Sequence, residues 1–321
     1  MENKIDDTIS KTNLMKFDNA WSFFEGLALV KLKGKYGFID KTGCEVIPCK
    51  YDVITAFSEG AACVAQNGKY GFIDKAGREI IPCKYDFAEF FSEGLASVKL
   101  NGKCGFVDKT GREVIPCKYD FTEFFSEGLA WVKSNDKYGF IDKTGREVVP
   151  CKYDDVDSFS EGLASVKQNG KYGFVDKTGR ELIPCKYDDV DSFSEGLTCV
   201  KLDLWLVIID KTGREIVPCK YDEVWSFFKG LAVVGLNEKY GFIDKTGCEV
   251  IPCKYDDVHP FSEGLASVEL DGKWGFIDKT GLEVIPCKYD FAKFFSEGLA
   301  SVKLDGKWGF IDKTGKLLQI W

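Results

Sequence analysis

Residues 95–115 read LASVKLNGKCGFVDKTGREVI, in which two β-rich runs flank the dipeptide Asn101-Gly102. Asn-Gly between two such runs is the strongest short-range signal for a β-hairpin, because both residues tolerate the positive φ angles of a tight turn. A second turn, Asp108 to Gly111, ends in a glycine that suits a left-handed conformation. The third run meets Pro116, which cannot donate to a ladder, so that strand is predicted to be an edge or to stop there.

This unit is repeated along the whole chain. The aspartate of its Phe-Ile-Asp-Lys string recurs every 34 residues, at Asp40, Asp74, Asp108, Asp142, Asp176, Asp210, Asp244, Asp278 and Asp312. Since 321 − 15 = 306 = 9 × 34, the sequence predicts an N-terminal extension, 1–15, followed by nine repeats in one continuous array, 16–321. A period of 34 is also that of helical tetratricopeptide repeats, but the hairpin signals exclude helices here.

The apolar pattern indicates how the repeats pack. Phe106 and Val107 are neighbours, so their side chains point to opposite faces of one strand, and both faces must be covered. The simplest cover is the preceding repeat on one side and the following repeat on the other. We therefore predict an all-β fold, a tandem array of antiparallel β units packed face to face. An open superhelix or solenoid is favoured because nine blades exceed the usual propeller, and a closed propeller-like ring is the alternative.

Composition narrows the classes of function. Charged residues make up 29% of the chain and hydrophobic residues 45%, which excludes a disordered composition. The net charge is −8 without a basic block, so no nucleic-acid partner is predicted. The sequence contains no run of 18 apolar residues, so no membrane partner is predicted either. The start, MENKIDDTISKTNL, lacks the charged and apolar regions of a signal peptide, and a cytoplasmic location is the expectation.

The chain has 13 cysteines, and most of them recur at one position of the repeat. Eight of them stand in a Pro-Cys-Lys string, at Cys49, Cys83, Cys117, Cys151, Cys185, Cys219, Cys253 and Cys287. A disulfide framework has unequal spacings in a short secreted chain, and a zinc site usually needs a Cys-x-x-Cys pair, which is absent. The interpretation is a small, buried, reduced side chain, with no metal and no cofactor.

Two strings carry a family resemblance, KWGFID at 273–278 and again at 307–312. These strings resemble the WG repeat family of bacterial proteins. So does the order of motifs within a unit, which is Ser-Glu-Gly-Leu-Ala, a hairpin, Asp-Lys-Thr-Gly and Lys-Tyr-Asp. The resemblance extends over all nine units. The tryptophan of Trp-Gly is replaced in most units, by Tyr36, Tyr70, Tyr138, Tyr172, Tyr240 and Cys104. The resemblance implies a β-repeat architecture and suggests a role in interaction. It implies no catalytic residue and names no partner.

Catalysis is not predicted. An active site needs unlike groups that converge, such as a nucleophile, a base and its orienting partner. The chain has one histidine, His259, and its repeats are nearly identical. The repeated Asp-Lys-Thr-Gly string and the acidic string at 154–158 are interpreted as turns rather than as a phosphorylation loop or a calcium loop.

Differences among the repeats point to binding residues. One variable series is Trp21, Thr55, Glu89, Glu123, Asp157, Asp191, Trp225, His259 and Lys293; the second is Leu29, Cys63, Ser97, Trp131, Ser165, Cys199, Val233, Ser267 and Ser301. Variation within a fixed scaffold predicts solvent-facing positions, which form the recognition surface of repeat arrays. Because exposed aromatic residues suit binding hot spots, Trp21, Trp131, Trp225 and His259 are candidate binding residues.

The sixth repeat departs most from the others. LDLWLVIID, residues 202–210, places Leu204, Trp205 and Leu206 where other repeats have a turn, a lysine and a ring. This indicates either local repacking of the repeat or an apolar patch for a partner or for a second copy of the chain. The leading hypothesis is a non-enzymatic scaffold for protein–protein interaction, and the alternative is an array that binds carbohydrate or small ligands through repeated aromatics.

Overall fold

The computed structural model describes residues 17–24, 26–203, 205–218 and 220–320. The predicted extension, 1–15, and the candidate residue Leu204 lie outside the described residues. Within the described residues, the named regular elements are β-strands. No helix in this part of the chain is long and apolar enough to cross a membrane.

The chain divides into two compact units, residues 1–158 and 159–321. The strands of the first unit are β1 (Asn19–Phe24), β2 (Leu27–Leu32), β3 (Lys35–Asp40), β4 (Glu45–Tyr51), β5 (Val53–Ile54), β6 (Ala61–Gln66), β7 (Lys69–Asp74), β8 (Glu79–Tyr85), β9 (Phe87–Ser92), β10 (Leu95–Leu100), β11 (Lys103–Asp108), β12 (Glu113–Tyr119), β13 (Phe121–Thr122), β14 (Leu129–Ser134), β15 (Lys137–Asp142), β16 (Glu147–Tyr153) and β17 (Asp155–Val156).

The second unit repeats the same succession of one short or variable strand and three longer ones. Its strands are β18 (Leu163–Gln168), β19 (Lys171–Asp176), β20 (Glu181–Tyr187), β21 (Asp189–Val190), β22 (Leu197–Leu202), β23 (Trp205–Asp210), β24 (Glu215–Pro218), β25 (Glu223–Val224), β26 (Leu231–Leu236), β27 (Lys239–Asp244), β28 (Glu249–Tyr255), β29 (Asp257–Val258), β30 (Leu265–Leu270), β31 (Lys273–Asp278), β32 (Glu283–Tyr289), β33 (Phe291–Ala292), β34 (Leu299–Leu304), β35 (Lys307–Asp312) and β36 (Leu317–Ile320).

These strands form nine four-stranded antiparallel sheets, one for each repeat. The prediction of an all-β chain built from nine antiparallel units is confirmed. No sheet formed by the described residues closes into a barrel, as expected of an open solenoid. The choice between an open superhelix and a ring of blades stays a prediction.

Repeat 3 shows how the sequence produces one sheet. β10 and β11 form the predicted hairpin, with Asn101 at φ 52° and Gly102 at φ 80° in its turn. β12 continues past Pro116 and is an edge strand of its sheet, which is the first of the two predicted alternatives. The register explains this: Cys104 faces Tyr119 and Phe106 faces Ile115, so three residues of β12 oppose one residue of β11 in a bulge. Proline is tolerated at such bulges because no ladder bond is required of it.

The bulge explains the glycine of the Trp-Gly string. A Cβ on Gly105 would lie 2.7 Å from the backbone nitrogen of Cys117, which is far inside contact distance. In repeat 6 Val207 occupies this position and pairs directly with Pro218. The register there, with Ile208 opposite Val217, lacks the three-against-one bulge seen in repeat 3.

The sheets pack face to face within each unit. Phe106 and Ile115 of repeat 3 share one core with Phe125 and Val132 of repeat 4, and all four are almost fully buried. The rings of Phe106 and Phe125 lie 4.8 Å apart in an edge-on arrangement that aromatic pairs favour. Successive repeats therefore cover both faces of a sheet, as the adjacent apolar residues predict.

A polar ladder also links successive repeats. Ser92 Oγ donates to the carbonyl oxygen of Phe125 at 2.8 Å, and Lys143 Nζ lies 2.9 Å from Glu93 Oε2. The second unit contains the same bonds, from Ser194 to Phe227 at 2.8 Å and from Lys245 to Glu195 at 2.9 Å. The Ser-Glu-Gly string is thus a connector between neighbouring sheets.

Candidate binding site

The two variable series are joined by a backbone hydrogen bond in repeats 2, 4, 6, 7, 8 and 9, and the ring at the Trp-Gly position contacts one of them in repeats 1, 4, 7 and 8. We call these three side chains the variable cluster; in repeat 3 it consists of Glu89, Ser97 and Cys104. The cluster of repeat 8 shows the contacts most clearly. His259 Nδ1 lies 2.8 Å from Ser267 Oγ, and its ring lies 5.0 Å from that of Trp274. The three positions that vary among the repeats therefore share one face of this sheet.

Two of the candidate tryptophans are exposed members of variable clusters. Trp21 is 45% exposed and lies 6.1 Å from the ring of Tyr36 in the first unit. Trp225 is also exposed and lies 6.4 Å from the ring of Tyr240 in the second unit. Both present ring surface to solvent beside a second aromatic ring.

The second variable series is mostly not solvent-facing, which corrects the sequence-based interpretation. Its members Cys63, Ser97, Ser165, Val233 and Ser267 are buried. The reason is that this series lies on the second strand of each sheet, under the first strand of the next repeat. Trp131 is too large to be buried there and is half-buried. Its ring stacks on that of Phe121, with 5.6 Å between the ring centres and an angle of 16° between the ring planes. The centre of the Tyr138 ring lies 5.4 Å away.

The candidates of the sixth repeat fall on two sides of β23. Trp205 is 65% exposed and stands where repeat 3 has Lys103, outside the variable cluster. Leu206 is half-buried, pairs with Lys201, and occupies the ring position of the cluster. The structure therefore does not bring Trp205 into the face that the other candidates share.

A pocket opens in the variable cluster of repeat 3. Its volume is about 430 Å³, and it is lined by Asp86, Phe87, Glu89, Ser97, Lys99, Cys104, Phe121 and Thr122. In repeat 2 the corresponding space is taken by Tyr70, whose ring lies 5.4 Å from Phe87. In repeat 8 it is taken by Trp274, 5.4 Å from Phe291. The small side chain of Cys104 leaves that space empty beside Phe121.

The pocket contains a carboxylate oxygen without a partner. Glu89 Oε2 is inaccessible to solvent and accepts no hydrogen bond. Burial raises the pKa of Glu89, and the nearby carboxylate of Glu123 raises it further. On the floor, Ser97 Oγ and Thr122 Oγ1 are hydrogen-bonded to each other at 2.8 Å. The sequence signal for this site was the smallest residue at the ring position, Cys104, in a repeat with Glu89; Glu89 was not predicted as a site residue.

The described cysteines form no disulfide. Most of those in the Pro-Cys-Lys strings are half-buried rather than buried, as with Cys117, whose Sγ lies 3.8 Å from the carbonyl oxygen of Val98. Burial raises the pKa of Cys63 to about 12 and that of Cys117 to about 11. Among the described residues no group of three or more His, Cys, Asp or Glu side chains is arranged to hold a metal ion.

The repeated sheets and their variable clusters define a tandem β-repeat protein. The family model described as WG containing repeat matches nine consecutive segments, 15–36, 36–70, 70–104, 105–138, 138–172, 172–203, 208–240, 240–274 and 274–308. The chain belongs to the WG repeat family. No curated protein matches it.

Solved structures resemble the chain only distantly. A eukaryotic initiation factor is 12% identical, with 89% of this chain and 93% of that chain covered and a TM-score of 0.49. Kluyveromyces lactis Hsv2p is 11% identical, with 68% and 89% covered and a TM-score of 0.39. Citrobacter koseri AztD is 13% identical, with 90% and 91% covered and a TM-score of 0.33. At these scores nothing about function follows from the likeness.

Proposed function

We propose that this protein is a non-enzymatic repeat scaffold that binds protein partners through its variable clusters. The observation that carries the proposal is that the repeats differ where their side chains meet on one face, beside exposed rings. In the first unit Phe87 and Phe121 are 45% and 48% exposed at the edges of such clusters. Aromatic anchors around a desolvated polar group are typical of the energetic centres of protein interfaces.

Carbohydrate or small-ligand binding is the second candidate, and the exposed rings of Trp21 and Trp225 favour it. Sugars stack on open aromatic faces, however, and Trp131 has one face covered by Phe121.

Affinity enrichment with the full-length chain tests the proposal. The double variant Phe87→Ser/Phe121→Ser is compared with Leu282→Ser, because Leu282 is 65% exposed but lies outside the variable clusters. We expect wild type and Leu282→Ser to retain the same stoichiometric protein, and the double variant to lose it. Equal recovery by all three proteins contradicts the proposal. Binding on a glycan array that Trp21→Ala weakens supports the second candidate instead.

Self-association through the sixth repeat is a further proposal, supported by the exposure of Trp205. Sedimentation velocity over a range of concentrations measures it, with wild type compared with Trp205→Ala. We expect the wild type to form a larger species that the variant does not form, with unchanged β circular dichroism. A monomer at every concentration in both proteins rules out self-association.

A further inference from the structure

The pocket of repeat 3 has a polar floor and aromatic walls. The exposed rings of Phe87 and Phe121 line it together with the polar residues Glu89, Ser97 and Thr122. The cavity lies wholly within the first unit. It occupies the place that an aromatic ring, Tyr70 or Trp274, fills in repeats 2 and 8. A planar group of comparable thickness therefore fits beside the ring of Phe121.

The oxygen atoms of the pocket require a hydrogen-bond donor. Glu89 Oε2 is buried and unpaired, and an unpaired buried carboxylate oxygen is costly to the folded state. The hydroxyls of Ser97 and Thr122 share one hydrogen bond, which leaves acceptor capacity on both oxygens. A ligand with several N–H donors in one plane satisfies these groups together.

The charges around the pocket favour a cation. Glu89 and Glu123 are close enough for their carboxylates to repel each other. Asp86, which also lines the pocket, is already paired with Lys69 at 2.6 Å. The phenyl rings that line the pocket attract a cation over their faces through the ring quadrupole.

We propose that this pocket binds a guanidinium group, as presented by an arginine side chain of a partner protein. Guanidinium is planar, donates several hydrogen bonds in a fixed fork and stacks on aromatic faces, and it loses its hydration more readily than an ammonium group. The inference rests on the proposed function for its partner, but the pocket is tested with a small probe and no partner.

Lys99 also lines the pocket and its charge competes with the ligand. In repeats 1, 4 and 5 the equivalent lysine ammonium lies 4.9, 5.2 and 4.5 Å from the centre of the tyrosine ring of the variable cluster. Cys104 offers Lys99 no such ring. Replacing Lys99 with methionine removes this competing charge and keeps an apolar stem, so binding of the guanidinium probe should become tighter.

The probe is N-acetyl-arginine methylamide, titrated into the full-length protein and followed by NMR. We expect saturable binding with a Kd on the order of 1 mM, and about tenfold weaker binding in Glu89→Gln because a charge-assisted hydrogen bond is lost. Glu113→Gln is the matched control, since Glu113 is an exposed glutamate of the same repeat and does not line the pocket. Binding by this control should equal that of wild type.

Filling the pocket gives an independent check. Cys104→Tyr installs the residue that repeat 2 carries at this position, so the variant should fold, as its thermal unfolding will report, and should lose binding. Cys104→Ser keeps the volume open and should retain binding. The neutral analogue N-acetyl-citrulline methylamide should bind at least about tenfold more weakly than the arginine probe.

Three results overturn the inference. The first is no saturable binding to wild type, and the second is equal binding by wild type, Glu89→Gln and Cys104→Tyr. The third is equal affinity for the citrulline analogue, because charge would then play no part. Each of these failures leaves the protein-binding proposal intact, since that proposal is judged by partner recovery in the Phe87→Ser/Phe121→Ser comparison.

Discussion

Glu93 accepts a hydrogen bond from the backbone N–H of Gly128 at 3.0 Å, one repeat further along the chain. The same carboxylate forms an ion pair with Lys143, so one side chain binds both a turn N–H and a lysine ammonium of the next repeat. In the second unit Glu263 makes the equivalent bond to Gly298 at 3.0 Å. Repeat 7 departs from this pattern, because Phe228 and Lys229 replace the serine and the glutamate.

Restoring that connector should stabilise the second unit. Lys229 already has a φ of 51°, close to the 52° of Glu93, so glutamate fits its backbone without rearrangement. We expect Phe228→Ser/Lys229→Glu to raise the free energy of unfolding by about 1 to 2 kcal/mol, through one hydroxyl bond and one charge-assisted bond. Urea unfolding measures it. Ser194→Phe/Glu195→Lys makes the reverse change between repeats 6 and 7 and should destabilise the protein. A loss of stability in the first double variant, or a gain in the second, would refute this account of the ladder.

Because the bulge of the fourth strand lies against the third strand, alanine substitution should cost more stability at a glycine facing the bulge than at a strand glycine elsewhere. Gly139→Ala puts a Cβ 2.7 Å from Cys151 N, and we expect a loss of about 2 to 3 kcal/mol, as in other overpacked sites. Gly235→Ala is the control, because its Cβ would meet only side-chain atoms, at 3.1 Å or more, and repeat 2 has Ala65 at this position. It should change stability by less than about 1 kcal/mol. Equal losses in thermal or urea unfolding would contradict the bulge account.

The turn aspartates predict loss of stability in acid. Hydrogen bonds from Thr144 and from backbone N–H groups lower the pKa of Asp142 to about 2, and Asp108 has the same value for the same reason. A lowered pKa stabilises the fold above the unfolded value of 3.8, and this contribution disappears as pH falls through about 2. The raised pKa values of Glu89, Asp191 and Glu269 act in the opposite direction.

Because the turn is present in every repeat, we expect the net free energy of unfolding to decline between pH 4 and pH 2. Urea titrations at several pH values measure it, and Thr144→Val should move the decline to slightly higher pH. Constant stability across this range would show that the turn bonds contribute little.

Thiol reactivity should separate the cysteines by location. Cys44 and Cys248 are exposed, whereas Cys63 is buried with its pKa raised to about 12 and Cys287 is half-buried with a pKa of about 11. Because the thiolate is the reactive form, iodoacetamide at pH 8 should label the exposed pair first. Peptide mass spectrometry over time measures this; labelling of Cys63 at the rate of Cys44 would contradict the burial.

The sequence predicts the repeat, the hairpin at Asn101 and the packing of both sheet faces, because these depend on local turn chemistry and on apolar periodicity. It does not predict that β12 continues past Pro116, since a bulge depends on the register between strands. Burial of the second variable series escapes sequence reasoning for a similar reason. Alternation in one strand does not reveal that the next repeat's first strand covers it, as Thr122 covers Ser97.

The pocket of repeat 3 exists because this repeat lacks the aromatic ring that neighbouring repeats have at the position of Cys104. The replacement of the usual ring by Cys104 is visible in the sequence, but its consequence requires knowing that Glu89 and Phe121 surround that ring position. Trp205 is exposed, as the apolar patch requires, but it lies outside the variable cluster, so its role in binding stays a prediction.

Site-specific photo-crosslinking tests the central claim, binding of a protein through the variable clusters, most directly. A photoreactive phenylalanine analogue is placed at position 121, which lines the pocket, or at position 282, which is also exposed but lies outside the clusters. Both proteins are irradiated in the source cell, and adducts are identified by mass spectrometry. The account predicts a defined protein adduct from position 121 that position 282 does not give. No adduct at 121, or the same adducts from both positions, would contradict it.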